Sequence, residues 1–469
     1  MPAGESAGPA LSAEDRAGRS RRATADIERL RAGDVAMAAL TWVDNAGITR
    51  VKAVPLSRLE RAAGWGVGMS PVFDVYLVND DMTASKYIGG PGGDLRLIPD
   101  LGRLTVLAGQ PGWAWAPVDR YTQDGEVYPA CQRSFARRIT GLAAARGLEL
   151  RMAIEIEWAV GADGDDGTFV PACQGPAYGM TRLIELSDYA RDVVTALERQ
   201  GVAVEQFHPE YAAGQLELSV APSDPVSAAD DSVLVRQTIR AVSARHGLAA
   251  TFAPSVVAGA VGNGGHVHLS LWRDGQNLLA GGPGRYGISR DGEAFAGGIL
   301  AALPELTGVG SPSVASYLRL VPSHWAGVFA CWGWENREAA LRLVTGSDGE
   351  QAVRANLEVK CFDLSANPYL VTGALIAAGL AGLDEGAGLP GEILTDPAGL
   401  PPGELDRRGI RRLPRSLPEA VAALEGSAVL RAAMGNPLFE AFLAVRRAEV
   451  DLFAGVSPDG ITARTRWRW

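Results

Sequence analysis

Two glutamates stand two positions apart in the segment "MAIEIEW", residues 152–158. In a strand, residues two apart point to the same face, so Glu155 and Glu157 are predicted to stand side by side. At about 4 Å and an effective dielectric near 20, their repulsion costs roughly 4 kcal/mol. The segment therefore predicts a positively charged partner for these carboxylates.

Three more segments alternate ionisable and apolar residues in the same way: "QLELSV", "GGHVHLSLW" and "NLEVKCF". A solvated outer face would explain any one of them alone. Their recurrence favours convergence on one site. Together with the preceding "FHPEYAAG", they supply the side chains Glu210, Glu217, His266, His268, Ser270, Glu358 and Lys360.

Convergence would bring five carboxylates together, those of Glu155, Glu157, Glu210, Glu217 and Glu358. Two or three divalent cations would neutralise their charge. A carboxylate-rich set with a single imidazole suits hard ions such as Mg²⁺ or Mn²⁺ better than zinc, which more often takes His and Cys. Metal ions are therefore the predicted partner.

Arginines form a second candidate group, Arg319, Arg337 and Arg342. The chain has 41 Arg and three Lys, so solvated surface arginines are the ordinary explanation. Beside a metal cluster, guanidinium groups could bind carboxylate or phosphate in two-point geometry and stabilise phosphoryl transfer. None of the three lysines follows a Gly, so no GxxxxGK phosphate loop is present.

Composition narrows the class of protein. A formal net charge of −10 argues against nucleic-acid binding, and 47% hydrophobic residues indicate an ordinary globular protein with small-molecule partners. The apolar run "PYLVTGALIAAGLAGL" is too short to span a bilayer and predicts a buried helix, so no membrane association is expected. Four widely spaced cysteines without a CxxC pair favour the reducing cytoplasm.

Three regions are predicted along the chain. Residues 1–25 are expected to form a disordered tail, residues 26–120 a small α+β domain, and residues 121–469 a larger α+β domain in which helices alternate with polar-faced strands. The segment 385–420, rich in Gly, Pro and Leu, predicts a long excursion before the last helices.

Five motifs in order make the chain resemble the glutamine synthetase family over roughly residues 26–460. They are "EIEW", "HPEYAAGQLEL", "NGGHVHLSL", "RLVPSHWAGVFACWGWENREAALR" and "LEVKCFDLSANPYL". The resemblance implies an N-terminal β-grasp domain and a catalytic domain with a curved antiparallel sheet. It also implies a homo-oligomer, usually a dodecamer of two hexameric rings, with sites shared between neighbouring subunits.

The resemblance also implies a role for each candidate residue. Glu157, Glu210 and Glu217 would hold one metal, and Glu155, His266 and Glu358 the other. His268, Ser270 and Arg342 would lie near the nucleotide, Arg337 would stabilise the transferred phosphoryl group, and Arg319 would bind the α-carboxylate of glutamate. Asp44 in "TWVDNAG" would be given by a neighbouring subunit to the ammonium pocket. Glutamate would attack ATP to form an acyl phosphate, and an amine would then displace phosphate.

Three positions depart from the family pattern. Trp325 replaces the flap glutamate that helps to deprotonate ammonium, and Gly327 replaces the proline after it. An indole accepts no proton but offers a cation–π face to an alkylammonium group, although it could also be a packing residue. Lys360 stands in place of arginine, and Val261, next to Gly262 in the predicted substrate loop, in place of asparagine.

The leading hypothesis is an ATP-dependent ligase that joins the γ-carboxylate of glutamate to an organic amine, ethanolamine or a polyamine. One alternative is a true glutamine synthetase that uses ammonia. An alternative of another class is a non-catalytic structural or regulatory oligomer of the same fold. The choice between a short amine and a polyamine stays open.

Overall fold

A computed structural model describes residues 10–469 of the chain. It begins with helix α1 (Ala13–Ala32), whose N-terminus carries a capping box between Ser12 and Asp15. Ala23, Ile27 and Leu30 are buried in the hydrophobic cluster of the first sheet. The predicted disordered tail is therefore wrong for residues 13–25, because these side chains bury an apolar stripe; residues 1–9 lie outside the described residues.

The first sheet contains six strands in the order β2-β1-β6-β4-β3, with β5 beside β6. Strand β1 runs parallel to β6 and forms a hairpin with β2 at Asp44. The elements are β1 (Met37–Val43), β2 (Thr49–Pro55), α2 (Leu59–Trp65), β3 (Val67–Met69), β4 (Leu95–Pro99), β5 (Thr105–Val106) and β6 (Trp113–Thr122).

Two further sheets follow. The second has the order β10-β11-β8-β12 with β9 beside β8, and the third β14-β13-β17-β16-β15 with β7 beside β13. Their strands are β7 (Glu149–Ile154), β8 (Ile156–Asp163), β9 (Phe169–Pro171), β10 (Val204–Pro209), β11 (Gln215–Val220), β12 (Ala249–Thr251), β13 (Val267–Arg273), β14 (Gln276–Asn277), β15 (Phe329–Trp334), β16 (Ala339–Val344) and β17 (Asn356–Val359).

Helices pack around these sheets, which confirms the predicted α+β class. They are α3 (Gln132–Ala144), α4 (Met180–Glu185), α5 (Ser187–Arg199), α6 (Pro225–Arg245), α7 (Arg290–Ala301), α8 (Leu303–Gly310), α9 (Ser316–Arg319), α10 (Gln351–Arg354), α11 (Pro368–Glu385), α12 (Glu404–Arg407), α13 (Leu417–Glu425), α14 (Ala428–Met434), α15 (Asn436–Leu452) and α16 (Pro458–Thr465). The excursion 385–420 contains a short 3-10 helix and α12 before α13 begins at Leu417.

Helix α11 is the buried helix predicted from its small apolar residues. At Gly382 a Cβ atom would lie 2.5 Å from the Cα of Gly298, so the glycines let α11 and α7 approach closely. Among residues 10–469, no single helix is long and apolar enough to cross a membrane. Helices α14 and α15 reach the length and apolar composition of a membrane span only when they are taken together, and the chain bends by 116° between them.

The segment "MAIEIEW" is two strands in two sheets, not the single strand predicted. Strand β7 pairs with β13 in the third sheet, and β8 pairs with β11 in the second. Glu155 lies between them, and its backbone N–H donates to the carbonyl of His266 at 2.9 Å. The polar faces of two sheets therefore meet at one residue.

A buried ion pair between strand β6 and the segment that follows β3 allows a stability prediction. Arg120 Nη1 lies 2.7 Å and 2.8 Å from the two carboxylate oxygens of Asp74, and both side chains are fully enclosed. Asp74→Ala would leave a buried guanidinium without its counter-charge and should lower the free energy of unfolding by about 3–5 kcal/mol. Denaturant unfolding measures this loss. The control Asp384→Ala removes an exposed pair with Arg146 and should lower the free energy of unfolding by less than about 1 kcal/mol. Equal losses in both variants would contradict this assignment.

Candidate active site

Ionisable side chains form one row across each of the second and third sheets. In the second sheet, His208 faces Glu217 across β10 and β11, and Glu217 faces Glu157 across β11 and β8. In the third, Glu358 of β17 lies between His268 and Arg342. Directly opposed residues bring their side chains within contact. Strand register thus builds both rows.

The two rows meet at Glu155 and His266. His266 Nδ1 lies 2.6 Å from Glu155 Oε1, and its Nε2 lies 3.7 Å from Glu157 Oε1. His268 approaches the other Glu155 oxygen at 3.5 Å. An imidazole therefore stands between the two carboxylates that the sequence sets two positions apart.

Among residues 10–469, three groups have ligand atoms close enough to hold a metal ion. They are Glu155, Glu157 and His266; Glu155, His268 and Glu358; and His208, Glu210 and Glu217. All six residues predicted as metal ligands belong to these groups, and His208 and His268 join them. His208 was missed, although it alternates with Glu210 in "FHPEY" as His266 does with His268.

The local backbone fits a metal centre. A Cβ at Gly264 would lie 2.5 Å from His266 Nε2 and 2.7 Å from Glu157 Oε1, so only glycine leaves the ligand atoms free there. Its N–H donates to Glu157 Oε2 at 2.9 Å and orients that carboxylate. Carboxylate oxygens with a minority of imidazoles are the donors that hard divalent cations prefer.

Charge is distributed unevenly over this cluster. Burial and the charges of Glu155 and Glu157 raise the pKa of Glu217 to about 8, although His208 donates to it. Burial also works against the charge of Glu358, but Lys360, His268 and His266 outweigh it and hold its pKa well below its usual range. The Glu217 side of the cluster is thus the one that most lacks positive charge.

A cavity of about 880 Å³ opens over the cluster. Its wall contains every residue predicted for the site from the motifs of the catalytic domain. These are Glu155, Glu157, Glu210, Glu217, Val261, Gly262, His266, His268, Ser270, Arg319, Trp325, Arg337, Arg342, Glu358 and Lys360.

Arg319 offers an unused donor inside this wall. Its Nη2 lies 3.0 Å from His266 Nε2 and 3.2 Å from the carbonyl of Lys360. Its buried Nη1 has no hydrogen-bond partner among the described residues. A buried unpaired donor is costly, so its position suits an anionic ligand.

The residues predicted near the nucleotide lie at the third sheet. Arg342 donates to Glu358 at 3.0 Å and to Glu335 at 2.6 Å. Ser270 accepts from the indole of Trp272 at 2.8 Å, and His268 Nδ1 lies 2.9 Å from the amide oxygen of Asn356. These partners fix the side chains before any ligand is bound.

Lys360, which departs from the family pattern, is held by a neighbour, and the loop that carries Val261 is held at the next residue. Lys360 is 2% exposed and its Nζ lies 3.1 Å from Glu358 Oε1. The carbonyl of Gly262, next to Val261, accepts from the Gln215 side chain at 3.0 Å. Lys360 therefore neutralises a candidate metal ligand as well as facing the cavity.

Trp325 lines the cavity from the flap, residues 321–327. Its indole is 43% exposed and packs against Tyr211, with ring centroids 5.5 Å apart at 47°. Tyr211, which also lines the cavity, was missed by the sequence analysis. The exposure of the indole argues against a buried packing role.

Asp44 is the one predicted site residue that the structure does not bring to this cavity wall. Its buried carboxylate closes the β1–β2 turn by accepting from the N–H groups of Ala46 and Ile48 at 2.9 Å, and it pairs with Arg50 at 2.7 Å. Burial raises its pKa to about 6 against the charge of Arg50. Within one chain it is a turn residue.

These features agree with what comparisons with known proteins find. Residues 129–460 match the family described as glutamine synthetase, catalytic domain. The chain belongs to the glutamine synthetase family, as its motifs predicted.

Among its relatives is a gamma-glutamylpolyamine synthetase, GlnA3 of Streptomyces coelicolor, 56% identical over 456 residues that cover 97% of this chain and 98% of that one. A glutamine synthetase of Halobacterium salinarum is 30% identical over 96% of both chains. A solved structure described as a novel glutamine synthase homolog has a TM-score of 0.82 at 33% identity, covering 93% of this chain and 99% of that one. The predicted γ-glutamyl-amine branch of the family is thereby confirmed.

The raised pKa of Glu217 leads to a prediction about pH. The native state keeps a proton that the unfolded chain releases above about 4.5, so the metal-free protein should lose stability as the pH rises from about 4.5 to about 8. Thermal unfolding with EDTA at pH 5, 6, 7 and 8 should show this fall, and Glu217→Gln should flatten it. The control Glu350→Gln, at an exposed site, should keep the wild-type slope. A stability that rises over this range would contradict the prediction.

Proposed function

We propose that this protein is an ATP-dependent ligase that joins the γ-carboxylate of glutamate to a polyamine through a γ-glutamyl phosphate. The composition of the cavity wall carries the proposal. The cavity keeps the carboxylates, histidines and arginines expected for phosphoryl transfer, while an exposed indole, Trp325, occupies the flap. The confirmed part is the reaction class, formation of an amide between glutamate and an amine by a ligase of this family.

Members of the family use ATP and divalent metal ions. Mg²⁺ or Mn²⁺, two or three per site, would be held by Glu155, Glu157, Glu210, Glu217, His266 and Glu358, with His208 as a further candidate. When bound, such ions neutralise phosphoryl oxygens and act as Lewis acids. The separation of the ligands into two rows supports more than one ion.

The protein's own side chains would carry the remaining binding. Arg319 would hold the α-carboxylate of glutamate with its free Nη1, and Arg337 would stabilise charge on the transferred phosphoryl group. His268, Ser270 and Arg342 would contact the nucleotide. The γ-carboxylate attacks the γ-phosphate and releases ADP, and the amine nitrogen then loses a proton and displaces phosphate.

The flap supports an organic amine over ammonium. An indole cannot accept a proton from ammonium, but Trp325 and Tyr211 offer two aromatic faces to an alkylammonium chain. The Asp44 carboxylate already binds the backbone of its own turn and Arg50. This arrangement gives no support to the alternative in which Asp44 alone would bind ammonium. Between ethanolamine and a polyamine, the 56% identity to a relative named gamma-glutamylpolyamine synthetase favours the polyamine.

The assembly and cellular location remain proposals. We propose a dodecamer of two hexameric rings with sites shared between neighbouring subunits. Four buried free cysteines support a reducing compartment such as the cytoplasm. The proposed domain boundary at residue 120 lies within β6, which ends at Thr122.

The principal test is an amine panel. Phosphate release with ATP, Mg²⁺ and glutamate should be faster with spermidine and putrescine than with ethanolamine or ammonium at matched concentrations, and mass spectrometry should identify the γ-glutamyl amide. Ammonium as the best substrate would support a glutamine synthetase, and no turnover with any amine would support a non-catalytic oligomer.

A second prediction concerns the flap. Trp325→Ala should raise KM for spermidine roughly 5–30-fold, because a desolvated cation–π contact contributes about 1–2 kcal/mol. Trp325→Glu should increase turnover with ammonium. Trp334→Ala is the matched control, because that indole is 41% exposed and lies outside the cavity wall. An unchanged KM for spermidine in Trp325→Ala would refute the cation–π role.

A third prediction tests glutamate binding. Arg319→Lys replaces a two-point fork by a point charge and should raise KM for glutamate about tenfold or more, with KM for ATP changed little. Steady-state kinetics at saturating spermidine measure both constants. Arg273→Lys, in a surface pair with Asp291, is the control. Equal effects on glutamate and ATP would contradict the assignment.

A further inference from the structure

The flap has a backbone that local preferences do not favour. Ser323 and Trp325 have φ angles of 59° and 56°, in the left-handed region that side chains other than glycine rarely adopt. Such a conformation persists only where surrounding contacts hold it. The contacts of the flap therefore decide where the Trp325 indole stands.

Two carboxylates outside the metal cluster make those contacts. Glu338 Oε1 accepts from the backbone N–H of Trp325 at 2.8 Å, and Asp396 Oδ2 accepts from the Ser323 hydroxyl at 2.6 Å. Asp396 belongs to the excursion 385–420, whereas Glu338 lies immediately before β16. The flap is thus tied at two points to two different segments.

Glu338 is itself well anchored. Its backbone N–H donates to the side-chain oxygen of Asn336 at 3.0 Å, and the Asn336 amide donates to the carbonyls of Ile393 and Thr395 at 2.7 Å and 3.0 Å. The Glu338 side chain is half-buried and lies outside the cavity wall. It is therefore placed to act on a bound amine through the backbone of Trp325 rather than by lining the cavity itself.

We propose that Glu338 is a positioning residue that holds the Trp325 indole against the cavity and so sets selectivity for organic amines. This inference rests on the proposed function. The hydrogen bond acts on the backbone of the same residue whose ring faces the amine, next to Tyr211. Burial raises the pKa of Glu338, and the Trp325 N–H opposes this rise, as expected for a carboxylate that accepts a backbone bond in a partly enclosed place.

The test compares Glu338→Ala, which removes the acceptor, with Glu338→Gln, which keeps one. Glu338→Ala should raise KM for spermidine about tenfold and leave KM for ATP and glutamate within twofold of wild type. Glu338→Gln should restore KM for spermidine to within about threefold. An unchanged KM in Glu338→Ala, or equal losses in both variants, would overturn the proposal.

A double-mutant cycle separates positioning from general damage. If Glu338 acts through the indole, Glu338→Ala should change KM for spermidine by less than twofold in a Trp325→Ala background. A full tenfold effect in that background would overturn the proposal. The control is Glu392→Ala. Glu392 lies on the excursion 385–420 and pairs with Arg285, so its loss should leave KM for spermidine as in wild type.

The outcome is separable from the proposed function. Wild-type protein that forms no γ-glutamyl amide would refute the proposed function itself. Wild-type protein that forms the amide, with Glu338→Ala indistinguishable from it in KM for spermidine, would refute only the inference about Glu338. Thermal unfolding of each variant shows whether a loss reflects unfolding.

Discussion

Mutual repulsion of carboxylates is the constraint on which this structure depends. Ligand atoms of Glu155, Glu157 and His266 lie within 4.8 Å of one another, and two further groups of the same kind adjoin them. A protein tolerates such crowding only where opposite charge is close. The sheets supply part of it, because Arg342, His268 and His208 stand opposite acids on neighbouring strands, while Lys360 contacts Glu358 from two positions further along the same segment. The remainder suits divalent cations.

The same constraint explains which side chains are rigid. Gly264 orients Glu157 through its N–H, Arg319 contacts His266, and Arg342 contacts Glu358. Each contact either offsets charge or fixes a ligand atom, so the metal centre and the candidate binding sites for glutamate and nucleotide share side chains. By contrast, the side-chain hydrogen bonds that hold Ser323 and Trp325 of the flap run to Glu338 and Asp396, outside the acidic cluster, and Trp325 meets the cluster through Tyr211. The contacts that hold the flap therefore differ from those that hold the acidic cluster.

Much of this site could be predicted from the sequence, because a period of two in strands places side chains on one face without knowledge of tertiary structure. That rule found Glu217, His266, His268 and Glu358. It failed at Glu155, because a pattern within one segment cannot show that the chain changes sheets there. It also missed His208, whose importance comes from pairing with β11 rather than from its neighbours in sequence.

Other features depend on contacts between distant segments. Residues 13–25 of helix α1 were predicted to belong to a disordered tail, and only the first sheet shows what the apolar stripe of the helix covers. Glu338 has no unusual sequence context, and its bond to Trp325 becomes visible only when the flap is folded against β16. At Asp44 the sequence motif matched the family, but within a single chain the residue lies in a turn and not at the cavity.

The passage of the chain from one sheet to another at Glu155 has a consequence for how this family can diverge. A loop between two sheets would absorb insertions and deletions, but here one residue separates the paired strands. Gain or loss of a single residue between Ile154 and Ile156 would shift the register of one strand and turn Glu157 away from the cluster. A change of chain length at this point is therefore expected to damage the site, whereas the segment 385–420 contributes no residue to the cavity wall.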